Sequence, residues 1–276
     1  MRIVADSSCD VTKEMKKRLG LTIVPLTITV GEQHYIDDEN LDLDAMLNAI
    51  DAYPEAAKSA CPSPQAFMDA FKEQGSVFVI TLTAALSGTY NSAMIAKDLF
   101  IQDHHEKFIH VFDSKGSSVR ETMIALKLDE LIQKGLNELE IVKQVNEYIE
   151  NNRFIFQLGS LDTMIKNGRI SKLKGFIANA LNIRPILFAS PTGEAELIEN
   201  VRTEKKSIQR LVEIIGENCN DFSDKILGIS HCEALEKAEQ IKNEIEKTYN
   251  FKEVFIVPMQ GLSSLYTNRG GITISF

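Results

Sequence analysis

Short apolar runs alternate with stretches of helical spacing along the first half of the chain. The run Arg2–Ala5, the run that begins at Val77 and the run Lys107–Phe112 are apolar and rich in β-branched residues, which predicts buried strands. Apolar positions spaced three or four apart predict helices at about 11–19, 90–102, 118–134 and 138–151. Strands that alternate with helices predict βαβ units and a mostly parallel sheet.

The pattern changes near Asn151. Short strands are predicted at 153–158, 183–188, 194–201, 225–231 and 253–257, long helices at 203–218 and 233–249, and a β-like tail at 270–276. We therefore predict two domains. Residues 1–152 form an α/β domain with a mostly parallel sheet flanked by helices, and residues 153–276 form an α+β domain that packs tightly against it.

Three segments of the first domain depart from simple alternation. Leu21–Val30 is predicted to be β-rich, and the polar stretch 31–40 is predicted to be a loop. Two prolines exclude regular structure from Lys58–Pro64. Within that segment Ser63 is a helix cap, and the proline that follows it opens a helix.

The turn after the strand that begins at Val77 is the first candidate binding site. A strand that runs into a helix through Ser87, Gly88 and Thr89 directs hydroxyl and backbone N–H groups at one point. That point carries the positive end of the helix dipole, which favours an anion. Taken alone, the same residues favour a plain strand–helix turn capped by a Ser or Thr. Asp6–Ser8 and Asp113–Ser114 also lie at strand ends, where ligands of parallel sheets bind.

Composition limits the classes of function. The chain has 276 residues, of which 44% are hydrophobic and 25% charged, as in soluble globular proteins. Its net charge of −9 argues against nucleic acid as a partner. No apolar run reaches the roughly 20 residues that span a bilayer, and no signal peptide is expected. Four scattered cysteines indicate neither a disulfide framework nor a zinc site, so we expect a cytoplasmic protein.

Several segments, in order along nearly the whole chain, resemble the DegV family of bacterial fatty-acid-binding proteins. These segments are Asp6–Asp10, Val24–Leu26, Lys58–Pro64, Leu86–Tyr90, Asp113–Ser114, Leu161–Thr163, Asn167–Ser171, Leu181–Ile186 and Val201–Thr203. The resemblance implies a two-domain carrier, not an enzyme, that holds one long-chain fatty acid such as palmitate or oleate between its domains. It further implies a separate fatty-acid kinase as partner and no other cofactor.

The resemblance also implies the residues that would hold the carboxylate. Ser59 falls on the first hydroxyl of a family segment that reads Thr-Ser-Gln-Pro, and Ser87 falls on the serine of its Ser-Gly-Thr segment. Arg169 falls on the arginine of the family's Gly-Gly-Arg-Ile-Ser segment and would balance the charge. The N–H groups of Gly88 and Thr89 would add donors, because a carboxylate in a poorly hydrated cleft needs several of them.

Four segments differ from the family pattern. Thr83–Ala85 replaces Ser-Ser-Gly, Ser59–Pro62 replaces Thr-Ser-Gln-Pro, and Asn167 replaces the first glycine of Gly-Gly-Arg. Thr267 lies near the position of a family histidine that belongs to the head-group network, and no Gly-Pro-Gly-like turn follows it.

An apolar tunnel for the acyl tail is expected to be lined by aromatic and aliphatic residues. Each candidate is equally compatible with an ordinary core position; they are Phe154, Phe156, Phe176, Ile177 and Leu181. Burial of a chain of roughly 16 carbons would contribute on the order of 10 kcal/mol gross. The tail is therefore expected to dominate affinity, and the hydroxyls to fix orientation.

An enzymatic alternative rests on the carboxylates at the strand ends. Asp6 and Asp113 could hold Mg²⁺ for a phosphotransferase or hydrolase that uses the Ser87 turn. Ser87 is a poor candidate for a hydrolase nucleophile, because its surroundings lack the G-x-S-x-G elbow.

Overall fold

A computed structural model describes residues 1–170, 183–219 and 221–276 of the chain. The first half contains β1 (Arg2–Asp6), α1 (Lys13–Leu19), β2 (Thr22–Val24), β3 (Thr27–Val30), β4 (Gln33–Ile36), α2 (Leu43–Ala52), β5 (Lys58–Ala60), α3 (Pro64–Phe71), β6 (Val77–Thr81), α4 (Thr89–Asp103), β7 (Ile109–Asp113), α5 (Val119–Gln133) and α6 (Glu138–Asn151). The described part of the second half contains β8 (Phe154–Gln157), α7 (Asp162–Lys166), β9 (Arg184–Ala189), β10 (Ala195–Val201), α8 (Glu204–Glu217), β11 (Ile226–His231), α9 (Leu235–Thr248), β12 (Glu253–Pro258), α10 (Gly261–Thr267) and β13 (Ile272–Ser275).

The N-terminal domain is built on a parallel sheet with the strand order β2-β1-β6-β7. Its inner strands are buried on both faces, as the continuous apolar runs predict. Ile3 and Ala5 pack with residues of α5 and α6, whereas Val4 packs on the opposite face with residues of α3 and α4. Helices therefore cover both faces, and the predicted fold class of this domain is confirmed.

The C-terminal domain is built on a mixed sheet with the order β10-β9-β8-β13-β11-β12, in which β11 and β12 pair in parallel. The alternation of side chains along β8 separates two cores. Ile155 packs in the core under α8 and α9. Phe154 and Phe156 point the other way and share a cluster with Val119 of the N-terminal domain. This face of the sheet therefore meets the first domain, and the predicted α+β architecture is confirmed.

A three-stranded antiparallel sheet, β4-β3-β5, corrects two of the sequence predictions. Leu21–Val30 is β-rich as predicted, and its two strands belong to different sheets, because β2 joins the parallel sheet and β3 joins this smaller one. The predicted loop 31–40 contains the polar strand Gln33–Ile36. The predicted irregular segment Lys58–Pro64 begins with the strand Lys58–Ala60, which pairs with β3 before the first proline.

Most predicted helices are present, and one helix was missed. Ser63 caps α3 as predicted, since its hydroxyl accepts a hydrogen bond from Ala66 N at 3.3 Å. The Gly261–Thr267 helix was not predicted from the sequence. The spacing of Phe176, Ile177 and Leu181 also predicts a helix, and that segment lies outside the described residues. No described helix combines the length and the apolar character that crossing a bilayer requires.

Candidate functional site

The polar ends of three neighbouring strands meet at one edge of the parallel sheet. β1, β6 and β7 are adjacent and run in the same direction, so the segments that follow them lie side by side. Asp6 ties two of these segments together. Its carboxylate is fully buried and accepts backbone hydrogen bonds from Ser8 at 2.9 Å and from Leu82 at 2.7 Å.

A cavity of about 310 Å³ lies between this edge and the inward face of the C-terminal sheet. Most of its lining is apolar, from Leu26, Leu82, Leu86, Phe154, Phe156, Leu158, Met164, Ala189, Ala195 and Leu262. The volume is at the lower end of the range for small-molecule sites, which are typically about 300–1,000 Å³. Phe154 and Phe156 line the cavity, while the other candidates for the tunnel, Phe176, Ile177 and Leu181, lie outside the described residues.

Four of the five predicted site residues line this same cavity: Ser59, Ser87, Gly88 and Arg169. They come from the small sheet, from the turn before α4 and from the segment after α7. Thr89 does not line the cavity. Its side chain is buried at the first position of α4, behind Ser87.

The Ser59 hydroxyl is placed by β5 and shares a hydrogen bond of 2.9 Å with the Tyr266 hydroxyl. Tyr266 lies on the Gly261–Thr267 helix and also lines the cavity. Each hydroxyl can donate one proton and accept others, so the pair retains the capacity to donate to an anion. The small sheet and the last helix therefore meet at a polar point of the cavity wall.

The Ser87 hydroxyl is oriented by the first residue of the helix that follows it. Its oxygen lies 2.9 Å from the Thr89 hydroxyl oxygen and accepts a hydrogen bond from Thr89 N at 3.3 Å. The N-cap of α4 is Gly88, without a side-chain cap, so Ser87 is not the cap that the plain-turn interpretation required. The N-terminus of α4, which carries the positive end of the helix dipole, therefore lies beside the part of the cavity that Ser87 and Gly88 line.

Arg169 places a positive charge beside the Ser87 turn. Its Nε donates to Leu86 O at 2.8 Å, and its Nη1 donates to Asn167 O at 2.7 Å. Asn167 is itself fixed, because its amide donates to Ala57 O at 2.9 Å. The guanidinium is therefore held against the segment that precedes Ser87, although the residue is exposed to solvent.

A second group of hydroxyls in the cavity wall was missed by the sequence analysis, apart from Thr267 and from Ser8, which was named only as part of a strand end. It consists of Ser8, Ser118, Ser263, Thr267 and Thr273. Serines and threonines are common in turns and strands, so no local pattern distinguishes these from others. Only the fold gathers them, from both domains, on one side of the cavity.

A fully buried acid, Asp10, forms hydrogen bonds with residues of both domains on this side of the cavity. Its carboxylate lies 2.5 Å from the Ser118 hydroxyl oxygen and 2.9 Å from that of Ser230, and it accepts from Gln260 N at 2.7 Å. Burial raises its pKa to about 7, and these hydrogen bonds oppose the increase. Asp10 belongs to the N-terminal domain, whereas Ser230 and Gln260 belong to the C-terminal sheet and its last helix. The carboxyl group therefore joins the two domains beside the cavity.

Two of the positions that depart from the family pattern, Thr83 and Thr267, also line the cavity. Thr267 donates a hydrogen bond to Ser263 O at 2.7 Å, so its hydroxyl oxygen remains an acceptor. Thr83 lies against Gly193, where φ is +81° and where a Cβ would overlap the Thr83 hydroxyl. This close approach brings the turn between β9 and β10 onto the N-terminal domain at the edge of the cavity.

The strand-end carboxylates of the enzymatic alternative are occupied by turn hydrogen bonds. Asp113 accepts from Ala84 N at 3.2 Å, from Lys115 N at 3.0 Å and from Lys115 Nζ at 2.9 Å. Asp6 uses both oxygens on backbone N–H groups, as described above. Across 1–170, 183–219 and 221–276, no group of three or more His, Cys, Asp or Glu residues is placed to hold a metal ion. We therefore interpret Asp6 and Asp113 as residues that shape the loops around the cavity.

The chain belongs to the DegV family. The profile of that family, described as "Uncharacterised protein, DegV family", matches residues 1–276. A DegV domain-containing protein of Streptococcus pneumoniae is 35% identical over 277 residues, which cover 100% of this chain and 98% of that protein. The resemblance predicted from the sequence segments is therefore confirmed.

Solved structures of related proteins have the same fold. A DegV-family protein from Ruminococcus gnavus, solved with vaccenic acid, superimposes with a TM-score of 0.96 at 36% identity, over 100% of this chain and 99% of that one. A DegV-family protein from Eubacterium eligens loaded with heptadecanoic acid superimposes with a TM-score of 0.92 at 33% identity, over 100% of this chain and 98% of that one. The Fatty Acid Kinase (Fak) B3 protein of S. pneumoniae loaded with linoleic acid superimposes with a TM-score of 0.91 at 34% identity, over 100% of this chain and 98% of that one.

Proposed function

We propose that this protein binds one long-chain fatty acid, palmitate- or oleate-like, without a covalent bond, between domains that comprise residues 1–152 and 153–276. The observation that carries the proposal is the apolar cavity between the two sheets, with serine hydroxyls and a helix N-terminus on its wall. Structural neighbours at 33–36% identity that were solved with fatty acids support it.

The carboxylate of the ligand would lie where Ser59, Ser87 and Gly88 meet. The two hydroxyls and the Gly88 N–H would be the donors, and charge-assisted hydrogen bonds contribute about 1.5–3 kcal/mol each. Arg169 would add a positive charge at the edge. Thr89 would contribute indirectly, because its N–H and its hydroxyl orient the Ser87 hydroxyl.

The acyl tail would supply most of the affinity. About 0.8 kcal/mol is gained for each CH₂ buried, so a chain of roughly 16 carbons gains on the order of 10 kcal/mol before the entropic costs of binding. Phe154 and Phe156 from β8 would contact this tail, together with the leucines of the strand ends. The apolar lining provides no hydrogen-bonding specificity along the tail, so the hydroxyl end would set the orientation.

The protein would act as a carrier and not as an enzyme. We propose that it presents the carboxylate to a fatty-acid kinase, as the similarity to the Fatty Acid Kinase (Fak) B3 protein supports. A position in the cytoplasm is consistent with its four free thiols, Cys9, Cys61, Cys219 and Cys232. The enzymatic alternative receives no support from Asp6 or Asp113, since loop hydrogen bonds engage both carboxylates.

Native mass spectrometry of protein purified from bacterial cells tests the proposal. The expected spectrum shows one fatty acid of about 16–18 carbons per polypeptide, released when the protein is denatured. Delipidated protein should take up one equivalent of palmitate. Protein that is free of lipid as purified and that fails to take up palmitate or oleate would contradict the proposal.

A further inference from the structure

Two buried carboxylates from the N-terminal domain hold the first turn of the Gly261–Thr267 helix. Asp37 Oδ1 accepts from Gly261 N at 2.8 Å, and Asp37 Oδ2 accepts from Leu262 N at 2.9 Å. Asp10 accepts from the preceding residue, Gln260, as described above. The first N–H groups of a helix have no partner within the helix, and here three successive groups are satisfied from a different domain.

The same helix forms part of the cavity wall. Leu262, Ser263, Tyr266 and Thr267 all line it, and the Tyr266 hydroxyl contacts the Ser59 hydroxyl. A helix of seven residues is too short to be stable alone, so its position depends on what holds its ends and its face. The placement of the Tyr266 hydroxyl therefore depends on the anchor of the first turn.

The fit between Asp37 and this helix is close. A Cβ on residue 261 would overlap Leu41 Cδ2 and would lie 2.5 Å from Asp37 Oδ1, so glycine is needed here for the carboxylate to approach the backbone this closely. Asp37 is 2% exposed, and its own N–H donates to Leu26 O at 3.0 Å, which fixes its backbone to the strand ends. The carboxylate therefore contacts the helix from a rigid position.

We propose that Asp37 is a positioning residue for ligand binding: by fixing the Gly261–Thr267 helix it fixes the Tyr266 hydroxyl, and through it the Ser59 hydroxyl that faces the head group. This inference rests on the proposed function. Asp37 lies outside the cavity and does not touch the ligand.

The substitution Asp37→Asn tests the role with almost no change in shape. One of the two acceptor oxygens of Asp37 becomes an NH₂ group that faces the N–H of Gly261 or Leu262. Both of these groups are donors, so no hydrogen bond forms between them whichever way the amide is turned. The helix then shifts, and the affinity of delipidated protein for palmitate falls about tenfold, the effect of one charge-assisted hydrogen bond.

Asp38→Asn is the matched control. Asp38 is the next residue, and its Oδ1 accepts from Asn40 N at 2.8 Å within the same loop. Its substitution changes the charge equally and leaves the palmitate affinity within about twofold.

A spectroscopic readout separates positioning from general destabilisation. Palmitate labelled with ¹³C at the carboxyl carbon reports the hydrogen bonds of the head group by NMR. Asp37→Asn is expected to move this resonance in the same direction as Ser59→Ala does, whereas Asp38→Asn leaves it in place. In a Tyr266→Phe background, Asp37→Asn should lower affinity by less than about threefold, because the hydroxyl that it positions is already absent.

Gly261→Ala provides a second test if Asp37→Asn does not fold. The added methyl group displaces the first turn by contact with Asp37 and Leu41 without removing a charge, and the variant should reproduce the shifted resonance. An unchanged resonance and affinity in a folded Asp37→Asn protein would overturn the inference, and so would an equal loss of affinity in the Tyr266→Phe background. Failure of the wild-type protein to bind palmitate would instead overturn the proposed function.

Discussion

Ser59 and Tyr266 share a hydrogen bond of 2.9 Å between their hydroxyl oxygens, across 207 residues of sequence. One lies on a three-residue strand of the small sheet, and the other lies on the last helix. Their contact closes the polar part of the cavity and is possible only when both domains are in place. The hydroxyl that we assign to the head group is thus oriented by a residue from the opposite end of the chain.

Removal of the two serine hydroxyls should weaken fatty-acid binding without unfolding the protein. We expect Ser59→Ala and Ser87→Ala each to lower palmitate affinity by roughly tenfold, since each deletes one donor to a carboxylate. The double variant should bind palmitate much more weakly while retaining most of the contribution of the tail. Titration of delipidated protein by calorimetry measures this. Ser223→Ala is the control, because Ser223 is exposed and its hydroxyl donates to the exposed Asp221, away from the residues that line the cavity. Equal affinity in the wild type and the double variant would refute the assignment.

The inward phenylalanines of β8 should influence the preferred length of the acyl chain. Phe156→Leu enlarges the cavity, so binding should shift toward acids with about two more carbons. Competition among saturated acids of 14 to 20 carbons, analysed by native mass spectrometry, checks the shift. Phe67→Leu is the matched control, because Phe67 is fully buried in the separate core under α3 and α4. The control should lose stability without a change in preference. An identical shift in both variants would exclude Phe156 as a determinant of length.

Cys61 provides a native reporter of occupancy. It is the one exposed cysteine of the four, and it lines the cavity near Gly88. We expect iodoacetamide to alkylate Cys61 selectively in folded, delipidated protein and to react several-fold more slowly after palmitate is added. Peptide mass spectrometry identifies the site, and Cys61→Ser should abolish the signal. Alkylation at a rate independent of palmitate would mean that the ligand does not occupy the cavity next to this thiol.

Buried Asp10 should make stability depend on pH. Burial raises its pKa from its ordinary 3.8 to about 7 in the folded protein, so the folded state binds this proton more tightly than the unfolded state does. The associated stability is complete below about pH 4 and is lost as the pH rises through 7.

Asp10→Asn removes this titration and can keep the hydrogen bonds. Its Oδ1 still accepts from Gln260 N, and the hydroxyls of Ser118 and Ser230 can rotate to accept from the amide. The free energy of unfolding of the variant, relative to the wild type, should therefore increase by up to about 4 kcal/mol between pH 4 and pH 8. Urea unfolding of both proteins at the two pH values measures this difference. A difference that stays constant with pH would show that Asp10 does not titrate in this range.

Local patterns were sufficient for the strand, turn and helix around Ser87. The apolar run of β6 and the spacing of α4 are continuous in sequence, and parallel pairing follows from the alternation with helices. The strand Lys58–Ala60 was missed because it is short and precedes two prolines, and its pairing with β3 depends on a distant segment. Ser59 was therefore named from a family resemblance, and its place on a strand came only from the fold.

The Gly261–Thr267 helix shows a different limit. Its sequence contains glycine, two serines and a threonine, which are poor helix formers. Its first N–H groups are satisfied by Asp10 and Asp37, at separations of 250, 224 and 225 residues. Nothing within a local window predicts such capping. The helical placement of Tyr266, and of the Ser263 and Thr267 hydroxyls that this helix adds to the cavity wall, was therefore beyond the sequence analysis.

A crystal structure of the protein loaded with palmitate tests the central claim most directly. We predict continuous elongated density in the cavity between the two sheets, with the tail against Phe154 and Phe156. The carboxylate should lie within hydrogen-bonding distance of the Ser59 and Ser87 hydroxyls. Density for the carboxylate elsewhere on the molecule, or a cavity without an acyl chain in protein saturated with palmitate, would contradict the account.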